Sequence, residues 1–197
     1  MKLGNTYHTA VGDFVNLGLK GLDRYEFNGN IAVTHDITEG GLPEFEKADC
    51  IYTEPCWRPG YEKFAKIAGV KPKVSYNDYL KMNALVARNL GKPAFILSGK
   101  AMLKALDADD VVDIYILQHK VWAYMNIFNS DRKEIEGCKS NEDVIESLSK
   151  KYKTILDYNA GYGNICSHVA NGGGYFICSD LCSTAIEYIA RKYMNYK

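Results

Sequence analysis

The chain has 197 residues, of which 47% are hydrophobic and 24% charged, and its 24 basic and 24 acidic side chains balance. This composition is typical of one globular domain with a full-sized core, and it excludes a disordered or collagen-like chain. The balanced charge argues against a protein that binds nucleic acid strongly on its own. No apolar run is long enough to cross a bilayer, and the first residues lack the apolar segment of a signal peptide. We therefore expect a cytoplasmic protein with no membrane partner.

The cysteines and histidines show no metal-binding pattern. None of the six cysteines, at positions 50, 56, 138, 166, 178 and 182, forms a Cys-x-x-Cys pair, and His35, His119 and His168 lack ligand spacing. A domain of this size does not need disulfides, so we expect reduced thiols and no metal site.

The first half of the chain alternates apolar strands with a helix. Residues 1–30 contain an apolar stretch broken by glycines and are interpreted as an N-terminal extension that ends in a turn. Buried strands are predicted at residues 31–36, 49–54 and 93–98. A helix with period 3.6 is predicted at residues 76–90, and Gly91 is its expected C-cap.

The second half begins with a predicted antiparallel hairpin at residues 111–117 and 121–128. A polar linker follows, and then a helix that Ser140 and Asp143 open as a capping box. Two further strands end in acids at Asp157 and Asp180, each followed by a helix. Alternating strands and helices with one hairpin predict an α/β sheet that is parallel except for one strand.

The turn after Asp157 is the most informative stretch. It contains Gly161 and Gly163 and leads into a helix, a strand and a second acid, Asp180. This order is the first half of a nucleotide-binding βαβ unit, in which glycines let the backbone approach the ligand and the second acid takes ribose hydroxyls. The third glycine of the dinucleotide fingerprint is missing, so the turn alone is a weak signal. Asp180 has a simpler interpretation as a helix cap.

The stretch resembles the S-adenosylmethionine (SAM) loop of Rossmann-type methyltransferases, whose pattern is Asp-x-Phe-x-Gly-x-Gly. Asn159 stands where that pattern has its aromatic residue. The resemblance implies S-adenosyl-L-methionine as cofactor, with Tyr162 beside it in the loop. The cofactor-binding residues that it implies in this stretch and the next strand are Asp157, Tyr158, Asn159, Gly161, Gly163 and Asp180.

A second motif, Glu54-Pro55-Cys56-Trp57, resembles the catalytic stretch of amino-methylating DNA methyltransferases, Asp/Asn/Ser-Pro-Pro-Tyr/Phe/Trp. Upstream, His35-Asp36 is similar to the Gly-Asp of that family. Because the catalytic stretch precedes the SAM loop, residues 31–197 resemble the permuted, beta-class order. The resemblance implies a seven-stranded, mostly parallel Rossmann-like methyltransferase sheet with one antiparallel strand and circularly permuted order, in a single domain over residues 1–197.

The resemblance also implies a role for each catalytic residue. Glu54 and the carbonyl placed by Pro55 would accept the two N–H groups of an exocyclic base amine, while Trp57 would stack on the flipped base. Asp36 would lie beside the cofactor adenine, or would cap the next helix. Cys56 replaces the second proline. Pro-Cys is also similar to the cytosine-C5 methyltransferases, in which the thiolate attacks the ring, but residues 95–98 do not supply their Glu-Asn-Val.

No segment between the two motifs is large enough for a separate target-recognition domain. The expected enzyme is therefore a SAM-dependent DNA methyltransferase whose DNA binding is weak or assisted by a homodimer mate or a recognition subunit. Two alternatives stay open, namely a small-molecule or other SAM-using enzyme and a degenerate methyltransferase fold that serves as a binding or regulatory subunit. The compact form would also suit a phage-like element.

Overall fold

The computed structural model describes residues 24–116, 119–161 and 163–194, apart from the side chain of Pro59. Most of the predicted N-terminal extension and Tyr162 lie outside these residues. Within them, no helix is both long enough and apolar enough to cross a membrane.

The described residues form one eight-stranded sheet with the order β1-β2-β8-β7-β3-β4-β6-β5. The five predicted strands from residue 31 onward and the two strands of the predicted hairpin are confirmed to within a few residues. The strands are β1 (Arg24–Phe27), β2 (Asn30–Thr34), β3 (Cys50–Thr53), β4 (Ala94–Ser98), β5 (Asp110–Ile116), β6 (Val121–Phe128), β7 (Thr154–Asp157) and β8 (Tyr175–Asp180).

The end of the N-terminal extension, where only a turn was expected, contains an eighth strand, β1. Strands β2, β8, β7, β3 and β4 pair in parallel, whereas β6 runs antiparallel to β4 and β1 runs antiparallel to β2. The turn closes a hairpin: Asn28 and Gly29, whose φ angles are positive at 48° and 82°, join β1 to β2. Two such residues are typical of the type I′ turn, whose twist matches that of the strands. The sheet therefore contains two antiparallel strands instead of one.

The described part of the chain has six α-helices between or after the strands, and the predicted caps of two of them can be checked. Gly91 adopts the left-handed conformation after α2, and Ser140 and Asp143 form the reciprocal capping box of α4, so both predicted caps are confirmed. The helices are α1 (Arg58–Ile67), α2 (Tyr76–Leu90), α3 (Leu103–Leu106), α4 (Asn141–Lys151), α5 (Asn164–Asn171) and α6 (Ser183–Tyr193).

The core has two halves, one on each face of the sheet. In β4, Phe95 and Leu97 pack with α4, α5 and α6, whereas Ala94 and Ile96 pack with α2 and α3. A strand buried on both faces needs a continuous apolar run, which residues 94–97 supply. The helix layers leave the carboxyl ends of β2, β8, β7 and β3 side by side at one edge of the sheet. All six cysteines have free thiols.

Candidate functional site

A cavity of about 410 Å³ opens at the carboxyl ends of β2, β3, β7 and β8. Ligands of α/β sheets bind outside this edge, because the loops that follow parallel strands meet there. Residues of both sequence motifs line the cavity, although they are about a hundred positions apart in the chain. Nine of the eleven predicted site residues are among the lining: Asp36, Glu54, Pro55, Cys56, Trp57, Tyr158, Asn159, Gly161 and Asp180.

Asp180 joins the glycine turn to the end of β8. The Gly161 N–H donates to its Oδ2 at 2.9 Å, and the Cys182 N–H donates to its Oδ1 at 2.9 Å. Cys182 is the N-cap residue of α6, so Asp180 lies outside that cap position. Burial raises the pKa of Asp180. Each carboxylate oxygen has two lone pairs, so both oxygens have capacity for a further donor.

Asp157 and Gly163 do not line the cavity. The Asp157 carboxylate accepts from the Thr53 hydroxyl at 2.7 Å and from the Asn159 N–H at 3.0 Å, and burial raises its pKa to about 7. It therefore ties the end of β7 to the end of β3. Gly163 has a φ of 73° and packs so closely that a Cβ would lie 2.9 Å from the Ile189 side chain. Backbone conformation and packing both require glycine there.

The side chain of Asn159 is the centre of a buried polar network. Its Oδ1 accepts from the Tyr79 hydroxyl at 2.7 Å, and its Nδ2 donates to Thr53 Oγ1 at 3.0 Å and to Asn83 Oδ1 at 2.7 Å. Phenylalanine, which the SAM-loop pattern has at this position, could form none of these hydrogen bonds. The network connects the turn after β7 with β3 and with α2.

Two tyrosines of α2 hold the backbone of Cys56. The Cys56 N–H donates to the Tyr79 hydroxyl at 2.9 Å, and the Tyr76 hydroxyl donates to the Cys56 carbonyl at 3.1 Å. The described chain contains no cis peptide bond. In a planar trans peptide the C=O points opposite to the N–H. Anchoring the Cys56 N–H therefore also fixes the direction of the Pro55 carbonyl.

Trp57 and Glu54 form a pair on the wall of the cavity. The indole N–H of Trp57 donates to Glu54 Oε1 at 2.9 Å. The ring packs against Gly99 after β4, where a Cβ would lie 2.8 Å from the ring carbon Cζ3. The glutamate is longer than the aspartate of the resembled motif, and here the Trp57 indole fixes the orientation of its carboxylate.

The Cys56 thiol lies in a poor environment for a nucleophile. Burial and the carboxylates of Asp180 and Glu54 raise its pKa. The sulfur packs against the first turn of α1, where a Cβ on Gly60 would lie 2.8 Å from Sγ. Reactive thiols need cationic surroundings that favour the thiolate. The geometry therefore disfavours the nucleophilic interpretation of Pro-Cys.

Asp36 caps the short 3₁₀ helix Ile37–Glu39. Its Oδ1 accepts from the Thr38 N–H at 3.0 Å and from the Thr38 hydroxyl at 2.7 Å, and its Oδ2 lies 3.5 Å from Lys73 Nζ. The capping interpretation is confirmed. Asp36 nevertheless lines the cavity at the end of β2, at the side of Asp180.

Several residues of this site could not be predicted from sequence patterns. Tyr76, Tyr79 and Asn83 lie in a segment whose pattern predicts only an amphipathic helix. Tyr61 of α1 stacks on Tyr79 with ring centroids 4.8 Å apart. Helix α1 itself is unpredicted, because its Pro59-Gly60 start is typical of a loop, although proline is tolerated in a first helical turn.

Comparisons with known proteins identify the fold. No family model matches the sequence, and neither does any curated protein. Among solved structures, the chain is similar to TTHA0409 of Thermus thermophilus, a candidate DNA modification methylase, with a TM-score of 0.53 and 13% identity over 82% of this chain and 93% of that one. Its selenomethionine derivative gives 0.52 and 11% over the same shares.

At these identities the similarity establishes a shared fold. The prediction of a methyltransferase-type α/β fold is thereby confirmed. The Thermus protein has also been crystallised with S-adenosyl-L-methionine, and that structure gives a TM-score of 0.49 at 11% identity over 83% of this chain and 94% of that one.

The first prediction concerns Asp157 and pH. Because its folded-state pKa of about 7 lies above the ordinary value of 3.8, its protonated form is favoured in the folded chain. Its stabilising contribution is therefore complete below about pH 4 and is lost as the pH rises through about 7. Between about pH 5 and pH 8, the unfolding free energy of the wild type should therefore fall by about 2–3 kcal/mol more than that of Asp157→Asn, at 1.36 kcal/mol per pKa unit. Urea titrations at both pH values measure this. Equal losses in the two proteins would contradict it.

The second prediction concerns the Tyr79 hydroxyl. Tyr79→Phe leaves the Cys56 N–H without this partner, so we expect the free energy of unfolding to fall by about 1–3 kcal/mol. Amide hydrogen exchange should show reduced protection at Cys56. The matched control is Tyr61→Phe, because the Tyr61 hydroxyl donates to the Val74 carbonyl at 3.1 Å instead. Unchanged Cys56 protection in Tyr79→Phe would refute the anchoring role.

Proposed function

We propose that this chain is a SAM-dependent methyltransferase that methylates an exocyclic amine of a DNA base. The observation that carries the proposal is the convergence of both motifs on one cavity, where Tyr79 bonds to the backbone of Cys56 and to the side chain of Asn159. The strand order supports a permuted arrangement, since β7, which opens the SAM loop, pairs with the earlier strand β3 and the later strand β8. We further propose a single domain.

The residues present fit S-adenosyl-L-methionine. Glu54 and Asp180 place two carboxylates in the cavity lining, which suit a sulfonium cation, whereas Asp36 in the same lining pairs with Lys73. Asp180 has acceptor capacity for ribose hydroxyls, and Gly161 lets backbone approach the ligand without a side chain between. The cavity volume falls in the range of about 300–1,000 Å³ that small-molecule sites occupy. When bound, this cofactor supplies an electrophilic methyl group.

In this proposal, Glu54 and the Pro55 carbonyl accept hydrogen bonds from the two N–H groups of the target amine. A base amine is a weak nucleophile because its lone pair is delocalised into the ring, and two fixed acceptors localise that pair on nitrogen. Glu54 also accepts the proton that the amine loses on methylation. The Trp57 indole orients Glu54, and Tyr79 orients the peptide that carries the Pro55 carbonyl. Trp57 supplies the stacking surface for a base turned out of its helix.

The alternatives are a small-molecule methyltransferase and a degenerate binding subunit. One observation supports the first alternative. The described residues between β3 and β7 are occupied by α1, α2 and elements of the sheet, so they contain no separate recognition unit. In the DNA proposal, a homodimer mate or a recognition subunit supplies sequence specificity.

Calorimetry with SAM tests the cofactor site first. We expect the wild type to bind and Asp180→Asn to bind at least about tenfold more weakly, because a hydrogen bond to a charged acceptor is replaced by one to a neutral amide. We then expect Glu54→Gln to retain SAM binding and to lose about a hundredfold in methyl transfer to DNA, since an acceptor of the transition state is weakened. Glu146→Gln, on the exposed surface of α4, is the matched control.

The outcomes separate the alternatives. A wild type that does not bind SAM would sink the proposal and favour a degenerate fold. Binding of SAM without methylation of any DNA would favour a small-molecule substrate or a regulatory subunit.

The Cys56 thiol gives a further prediction. Because burial and nearby carboxylates keep this thiol protonated, Cys56→Ala should retain methyl transfer to within a few-fold of wild type. Cys138→Ala, which removes a partly exposed thiol outside the cavity, is the control. Loss of turnover in Cys56→Ala alone, with SAM binding intact, would instead support attack by the thiolate on a cytosine ring.

A further inference from the structure

The segment that follows Trp57 is strongly basic in a chain whose net charge is zero. Residues 58–73 contain one acid, Glu62, and five basic side chains: Arg58, Lys63, Lys66, Lys71 and Lys73. They form α1 and the loop after it, and both lie at the cavity. Surface charge of one sign attracts an oppositely charged partner when it is concentrated and unpaired.

Helix α1 has one face toward the cavity and one toward solvent. Gly60, Tyr61, Phe64 and Ala65 line the cavity. Lys63 and Lys66 are exposed, and their spacing of three residues places them on the same face. A side chain at position 63 or 66 therefore extends away from the cavity.

The charges on this outer face are not neutralised within the described structure. None of the ion pairs formed among the described residues involves Lys63, Lys66 or Lys71, whereas Lys73 pairs with Asp36 and Glu39. The sole acid of the segment, Glu62, shares the exposed side of α1. The outer face therefore keeps a positive charge available to a partner.

Charge of opposite sign is thus separated across α1. The cavity behind the helix is lined by the carboxylates of Asp36, Glu54 and Asp180, and the two lysines that also line it, Lys71 and Lys73, belong to the loop after α1. A base inserted into that cavity would leave its phosphates outside, at the basic surface. Arg58 is the first residue of α1 and directly follows Trp57, so the basic surface begins beside the candidate base platform. From Arg58 to Lys66 the helix rises about 12 Å, roughly the length of three to four base pairs.

We propose that the outer face of α1, with Lys63 and Lys66 at its centre and Lys71 at the cavity rim, binds the phosphate backbone of the DNA substrate. The inference rests on the proposed function and gives it a binding surface within this chain. Phosphate contacts position a duplex without reading its sequence. DNA binding by this surface is therefore sequence-independent and salt-sensitive.

Fluorescence anisotropy with a labelled 20-base-pair duplex tests this surface in the full-length protein. The variant is Lys63→Gln/Lys66→Gln. The matched control, Lys47→Gln/Lys150→Gln, removes the same charge just before β3 and just before β7, at the opposite edge of the sheet. At about 50 mM salt we expect the Kd of the first variant to rise on the order of tenfold, and its salt slope to fall by roughly 1.8. The control should match the wild type.

Calorimetry with SAM keeps the two proposals separable. Retained SAM binding by Lys63→Gln/Lys66→Gln shows that the fold and the cavity are intact. If that variant loses SAM binding, Lys71→Gln in the loop replaces it, with an expected slope change of roughly 0.9. Wild-type affinity in the test variant, or no binding of the duplex by wild type, would overturn the DNA-binding surface. A wild type that binds the duplex through these lysines but does not bind SAM would overturn only the methyltransferase proposal.

Discussion

The site depends on one constraint, which is that the Tyr79 hydroxyl must serve two loops at once. It accepts from the Cys56 N–H and donates to Asn159 Oδ1, so α2 holds the stretch from Glu54 to Trp57 and the glycine turn in fixed positions relative to each other. A buried polar group without a partner is costly, so each member of the network fixes its neighbour. Asn159 therefore fits this chain better than the aromatic of the resembled motif, because an aromatic ring could not complete the network.

Burial of acids shapes both the stability and the chemistry of the site. Asp157 and Asp180 lie at the ends of adjacent strands, and burial raises the pKa of both. Folding therefore acts against their charged forms. A cationic ligand would favour the charged form of Asp180, which lines the cavity, and binding of such a ligand would couple to proton release. Asp157, which is outside the lining, joins the ends of β7 and β3 through Thr53.

Helix α1 has two faces with different surroundings. Its inner face lines the cavity, and its outer face carries Lys63 and Lys66. In the proposed function, this arrangement explains how a domain with zero net charge can approach a polyanion. Glu54 and Asp180 lie in the cavity lining, whereas Lys63 and Lys66 lie on the outer face of α1.

Features that depend on neighbouring residues could be predicted from the sequence alone. Apolar runs located the strands from residue 31 onward, Ser140 and Gly91 located helix ends, and the acids at strand ends located the cavity edge. The hydroxyl that bonds to each loop could not be predicted in this way, since Thr53 and Asp157 are 104 positions apart and Tyr79 and Asn159 are 80 apart. The structure also shows that Asp157 and Gly163 are outside the cavity lining, that residues 24–27 add an eighth strand, and that residues 58–67 are helical. Periodicity and capping are local and can be read from a few residues, whereas hydrogen-bond partners and cavity walls exist only once distant segments pack together.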